Sequence, residues 1–156
     1  MSHDVMNAKD AITASLAECY ITIDGRRYNF MQAINLEAKM EKNKSRIPIL
    51  GKTGKANRST GWTGSGSAKF YYNTSIFRDM LYLFKDSGED WYFDIQVTNE
   101  DPTASVGRQT AILRDCNLDS SIIAQFDADG DYLTEEINFT FEDFEFPEYF
   151  DQLEGM

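Results

Sequence analysis

The chain has 156 residues, the size of one ordinary domain, and residues 1–156 are expected to form a single unit of that kind. Hydrophobic residues at 42% supply a core, and only three prolines and ten glycines exclude collagen-like and low-complexity chains. A net charge of -11 argues against coating nucleic acid or binding an anionic membrane surface.

The charge is uneven. Lys39 to Arg58 holds seven basic residues against the single acid Glu41, whereas Asp115 to Glu154 holds 13 acids and no base. No apolar run approaches the roughly 20 residues of a membrane helix. Met1-Ser2-His3-Asp4 does not open a secretory signal, so the expected address is the cytoplasm of the producing cell. His3 is the lone histidine, which disfavours zinc sites and histidine-based catalysis. Cys19 and Cys116 lack any paired spacing and read as buried free thiols.

In chain order, Asp10 to Glu18 is helical or irregular. Cys19-Tyr20-Ile21-Thr22-Ile23 alternates as a strand, Asp24-Gly25 is a tight hairpin turn, and Arg26 to Gln32 returns. Leu36 to Lys44 fits either a strand or a short helical turn. Ser45 to Gly61 carries Pro48, Gly51, Gly54 and Gly61 and is predicted to be a long extended loop. Its apolar residues Ile47, Ile49 and Leu50 call for a partner surface. Trp62 to Asn73 reads as a strand whose start, Gly64-Ser65-Gly66-Ser67-Ala68, is made of small residues.

A helix is predicted over 75–86, with Thr74 or Ser75 as cap, an apolar stripe through Ile76, Phe77, Met80, Leu81, Leu83 and Phe84, and Gly88 as its stop. Trp91 to Thr98 alternates cleanly. Asn99 to Gly107 is a turn-rich loop, and Arg108 to Leu118 and Ser121 to Phe126 are further strands. After the acidic turn Asp127 to Asp131, Leu133 to Phe146 gives a strand signal long enough to require a bend near Asp143. The class is mainly β with one packed helix.

Several motifs lack the parts their chemistry needs. Gly51-Lys52-Thr53 has Arg46 where a phosphate loop needs its first glycine, and no helix opens after it. Asp127, Asp129 and Asp131 have calcium-loop spacing, but Tyr132 replaces the glycine of the sharp turn and Asn138 the closing glutamate. Glu142, Asp143, Glu145 and Glu148 alternate with aromatics as the wet face of a strand rather than as a paired acid and base. These readings point away from an enzyme, and no cofactor or metal is expected.

Met40-Glu-Lys-Asn-Lys-Ser45, then Gly51, Gly54, Gly61-Trp-Thr-Gly64 and Gly66-Ser-Ala-Lys-Phe-Tyr71, resemble the tail tube proteins of the XkdM type. That family is named from the defective prophage PBSX and occurs in contractile-tailed phages and prophages. The similarity continues at Thr74-Ser-Ile-Phe77 and Phe139-Thr-Phe-Glu-Asp-Phe144, with Pro147-Glu148 after it, and covers about residues 16 to 150. The first fifteen residues and the 99–107 loop match no block of it.

The resemblance implies a two-sheet β-sandwich or partial barrel, with six copies in a ring and rings stacked into a hollow tube. The 45–61 loop would reach the neighbouring ring through Ile47, Ile49, Leu50, Lys52, Lys55 and Arg58. Glu136, Asn138, Thr140 and Glu142 are the candidates for a lumen lining past which DNA slides. Implied partners are further copies, a sheath protein, a baseplate or tail initiator, a tape measure protein, and DNA in transit only. No membrane binding by the subunit is implied. The implied location is the virion tail, assembled in the bacterial host cytoplasm. The alternative is a monomeric β-sandwich binding module whose basic loop grips an acidic partner.

Overall fold

A computed structural model describes residues 5–153; His3 lies outside the described residues. The elements are β1 (Ala17–Ile23), β2 (Arg26–Asn29), β3 (Ala33–Pro48), β4 (Lys55–Tyr71), α1 (Ile76–Ser87), β5 (Tyr92–Glu100), β6 (Arg108–Ser120), β7 (Thr134–Phe141) and β8 (Asp143–Glu148). The class is mainly β with one α-helix among the described residues, as the sequence predicts. Strands pair in the unclosed order β2-β1-β5-β6-β7-β4-β3, and β8 pairs with β6. Every pairing described below is antiparallel. The chain forms two compact units, one from the segments ending at Gln32, Tyr92–Cys116 and the chain from Asp143, the other from Ala33–Trp91 and Asn117–Glu142.

In the first unit, Asp24 and Gly25 take φ of 51° and 75°, the left-handed pair of the tight hairpin turn that joins β1 to β2. The other edge of β1 pairs with β5, with Ile21 opposite Ile95 and Ile23 opposite Phe93. Those four, with Phe30 and Leu113, are buried. The segment ahead of β1 is a single 3-10 turn, Ala8–Asp10, followed by irregular chain.

That segment is tied to the 101–106 loop. Thr13 N–H donates to Asp101 Oδ2 at 3.1 Å, and the N–H and hydroxyl of Ser105 donate to Asp10 Oδ1 at 2.8 and 2.7 Å. On β8, Glu148 accepts from Arg108 Nε at 2.6 Å, which holds its carboxyl below the ordinary range. Arg114 pairs with Asp94 at 3.1 Å and with Glu145. Glu145 and Glu148 are thus engaged by arginines.

The second unit is built on β4, which pairs with β3 on one side and with β7 on the other. Gly64 and Gly66 stand opposite Phe141 and Phe139, and these rings lie over the two glycines. A Cβ on Gly66 would come within 2.5 Å of the Phe139 ring and 2.9 Å of the Glu37 carbonyl oxygen. The run of small residues therefore makes room for two buried aromatics.

Helix α1 ends where the sequence says. Gly88 has φ 75° and its N–H donates to Phe84 O at 2.9 Å. Phe77 and Met80 are its buried residues, with the Phe77 ring 5.1 Å from Phe70. Arg78 reaches to β7, where its guanidinium pairs with the fully buried Glu135 at 2.7 Å, lies 4.3 Å over the Tyr72 ring and donates to Thr74 O.

Two expectations change, and one open choice is settled. The 45–61 segment is not a loop: residues 45–48 end β3, 55–61 begin β4, and only 49–54 turn. Pro48 is tolerated because it ends an edge strand, and the glycines are taken up by the turn and by an exposed ribbon. Leu36–Lys44 is strand throughout. Ser121–Phe126 is not a strand but irregular chain, with Ile123 and Phe126 exposed and no strand partner, so its apolar residues mark a surface. The long C-terminal strand does break where a bend is expected: β7 stops at Phe141 and β8 starts at Asp143. There the chain also leaves the second unit for the first.

Candidate assembly surfaces

The β3–β4 hairpin outruns the rest of its sheet. β7 pairs with β4 only from Gly64 to Tyr71, whereas β3 and β4 stay paired out to Pro48 opposite Lys55. Residues 41–48 and 55–63 therefore form a two-stranded arm, about 26 Å long at a strand rise of ~3.3 Å per residue. Ala56 apart, every arm residue is exposed. Such a ribbon has no core of its own and is marginally stable until something covers it.

Its tip is a tight turn. Lys52 N–H donates to Ile49 O at 3.1 Å, and Gly51 takes φ 87°, which a glycine allows at the third position of that turn. Leu50, at the second position, is completely exposed. Lower down, Thr60 is an extra residue between Asn43 opposite Gly61 and Lys44 opposite Ser59, and its hydroxyl donates to Asn43 O at 3.1 Å.

All six residues expected to carry stacking lie on this arm: Ile47 opposite Ala56, Ile49, Leu50 and Lys52 in the turn, Lys55 opposite Pro48, and Arg58 opposite Ser45. Pairing adds three more that the sequence reading passed over. Lys42, Lys44 and Arg46 point to one side of β3, the side that also carries Pro48 and its partner Lys55. Their i, i+2, i+4 spacing is the available sequence signal, masked by Pro48, Gly51, Gly54 and Gly61, which give the segment the composition of a loop. Between Lys42 and Arg58 there is no acid, and none of the six basic side chains there is in an ion pair among the described residues.

The candidate lumen residues divide. Glu136, Asn138 and Thr140 alternate with buried Glu135, Ile137, Phe139 and Phe141 and share the wet face of β7. Glu142 falls in the break between β7 and β8. Pairing extends the wet face sideways to Ser65, Ser67 and Lys69 on β4, and to Glu37 and Lys39 on β3. Asn138 donates to the Ser120 hydroxyl at 3.1 Å. The face is thus small and polar with charges of both signs, and Lys39 and Lys69 temper its acidity.

Elsewhere the geometry offers little chemistry. Gly51-Lys52-Thr53 is the hairpin tip. Asp127 accepts the N–H groups of Asp129 and Gly130 in an acidic turn. Among the described residues no group of three or more His, Cys, Asp or Glu side chains is placed to hold a metal. Burial pushes the Cys19 thiol up to about 11 and the Cys116 thiol up to about 12, far from reactive thiolates.

Comparison with known proteins bears on the family and the fold. The family model described as "Phage tail tube protein" matches residues 4–148. "Phage-like element PBSX protein XkdM" of Bacillus subtilis (strain 168) is 37% identical over 143 residues, 92% of this chain and 96% of the relative. A Bacillus subtilis protein of known structure is 36% identical with a TM-score of 0.52, covering 86% of this chain and 98% of the other. A chain of the PVC sheath-tube complex, an extracellular contractile injection system in its extended state, shares the fold at a TM-score of 0.62 and 10% identity, over 90% of this chain and 95% of that one. The protein described here belongs to the phage tail tube protein family, a family of structural rather than catalytic proteins.

Proposed function

We propose that six copies of this tail tube protein close into a ring and that rings stack into the hollow inner tube of a contractile tail or tail-like particle. The observation that carries this reading is the arm. A two-stranded ribbon exposed on both sides, tipped with Leu50 and lined by unpaired cations, makes physical sense when a neighbouring copy covers it.

The arm is the ring-to-ring contact in this reading, with Ile47, Ile49 and Leu50 giving affinity and Lys52, Lys55 and Arg58 giving register. The wet face carrying Glu136, Asn138 and Thr140 lines the lumen, with Glu142 at its end. Small polar side chains there let DNA pass without holding its phosphates. A sheath protein surrounds the tube, and a baseplate or initiator and a tape measure protein set its start and length. Subunits are made and assembled in the bacterial host cytoplasm.

Negative-stain electron microscopy across a concentration series, with and without baseplate seeds, tests the reading. Six-fold rings or hollow tubes with a regular axial repeat are expected. A monomer at every concentration that also fails to extend seeded tubes would sink it and favour a monomeric module that binds an acidic partner through the arm.

A further inference from the structure

The second unit leaves one apolar surface uncovered. Helix α1 buries Phe77 and Met80 but leaves Tyr82 and Phe84 more than half exposed. Ile76, Leu81, Tyr82 and Ile123 line a groove of about 880 Å³ along the helix, with Asp79, Arg78 and Lys85 at its sides. The chain beyond Ile123 holds out Phe126, 90% exposed, and then Asp127, Asp129, Asp131 and Tyr132. An apolar groove followed by three aspartates is the complement of the arm tip, where Ile49 and Leu50 are followed by Lys52, Lys55 and Arg58.

We propose that the α1 groove and the 123–132 segment of one copy receive the arm tip of a second copy. Leu50 and Ile49 enter the groove, and Lys52 and Lys55 meet Asp127, Asp129 and Asp131. The inference rests on the assembly reading above and names the acceptor that reading leaves open.

The occupant must come from another molecule. The tip precedes the first residue of β4, whereas α1 packs at the far end of that strand, where Phe77 meets Phe70. At ~3.3 Å per residue, Lys55 and Phe70 lie about 50 Å apart along one continuous strand. Charge complementarity with the 123–132 segment selects a copy of this chain, because Lys42 to Arg58 holds no acid to repel the aspartates and the 115–154 segment holds no base to repel the lysines. Arg78 and Lys85 line the groove itself, which takes the uncharged Ile49 and Leu50.

A charge swap tests it. Lys52→Glu/Lys55→Glu and Asp127→Lys/Asp129→Lys should each cut the sedimenting fraction at least tenfold, and the four changes together should restore most of it. An Asp127→Lys/Asp129→Lys protein that assembles like the wild type overturns the acceptor assignment, as does a folded four-change protein that stays unassembled. Thiol cross-linking reads the contact directly, since the native thiols are held protonated by burial. A Leu50→Cys protein mixed with a Phe126→Cys protein should cross-link between chains with a short bismaleimide, while neither does so alone. Failure of the mixture to cross-link within assembled tubes overturns the acceptor but leaves the tube reading intact. A wild-type chain that never assembles, even seeded, removes both.

Discussion

Gly66 shows how one missing methyl shapes this protein. Gly66→Ala must push against the Phe139 ring and the Glu37 carbonyl at once, so a loss of about 1–3 kcal/mol is expected in urea unfolding. Gly54→Ala meets nothing within 4 Å and should stay within about 0.5 kcal/mol of the parent. The Arg78–Glu135 pair is asymmetric, with side-chain exposures of 18% and 0%. Arg78→Ala strands a buried carboxylate and should cost about 3–5 kcal/mol. Glu135→Ala leaves a guanidinium partly wet and seated over Tyr72, and should cost less in the same assay. Asp101 and Asp10 carry a pH dependence. The Thr13 N–H, then the Thr103 N–H, hold Asp101 below its ordinary 3.8, and the N–H of Ser105 followed by its hydroxyl does the same for Asp10. A carboxyl with a depressed pKa stabilises the fold above its unfolded value, and that contribution disappears as pH falls through the folded value. The tether should therefore hold at neutral pH and open below about pH 3.8. Hydrogen exchange at the Thr13 and Ser105 amides should lose protection there while Ile21 and Ile95 keep theirs.

Among the elements, the arm is the one whose loss should separate folding from assembly. Ile49→Asp/Leu50→Asp alters side chains that already face water, so unfolding free energy should shift by no more than about 0.5 kcal/mol while rings stop stacking in micrographs. Tubes that still form would clear those two residues of the role. The same exposure explains why the arm was hard to read. A strand declares itself by alternation only where one face is buried, as Ile137, Phe139 and Phe141 do on β7. On the arm both faces are wet, and Pro48 and three glycines gave the segment the look of a loop. Helix α1 was legible because Gly88 stops it and its apolar stripe repeats at helical spacing. The stripe is wider than the chain covers, and Tyr82 and Phe84 lie outside the fold's own core. The tether between the N-terminal segment and the 101–106 loop had no sequence signal, because Asp10 and Ser105 are partners only across 95 residues of chain. Glu136, Asn138 and Thr140 do share one face as the alternation predicts, whereas Glu142 falls beyond the end of β7. Their neighbours Ser65 and Lys69 were not legible, since register between strands distant in sequence is not written in either one.

Across the whole molecule, a net charge of -11 coexists with a stretch from Lys42 to Arg58 that holds only bases. Copies therefore repel one another on average and attract through one region, so encounter should depend strongly on salt. Between low salt and 1 M, where the screening length falls to about 3 Å, the elongation rate in light scattering should drop at least about tenfold. A rate indifferent to salt would place the attraction in apolar contact alone. Directionality follows from the hairpin. A contact in which a protruding ribbon meets a different surface is heterologous, and repetition of such contacts gives a filament with unlike ends. One end of the tube would show a crown of cationic ribbons and the other the surfaces that receive them. Whatever starts the tube and whatever stops it must then be chemical opposites: one offers acids and hollows, the other bases and a hydrophobic finger.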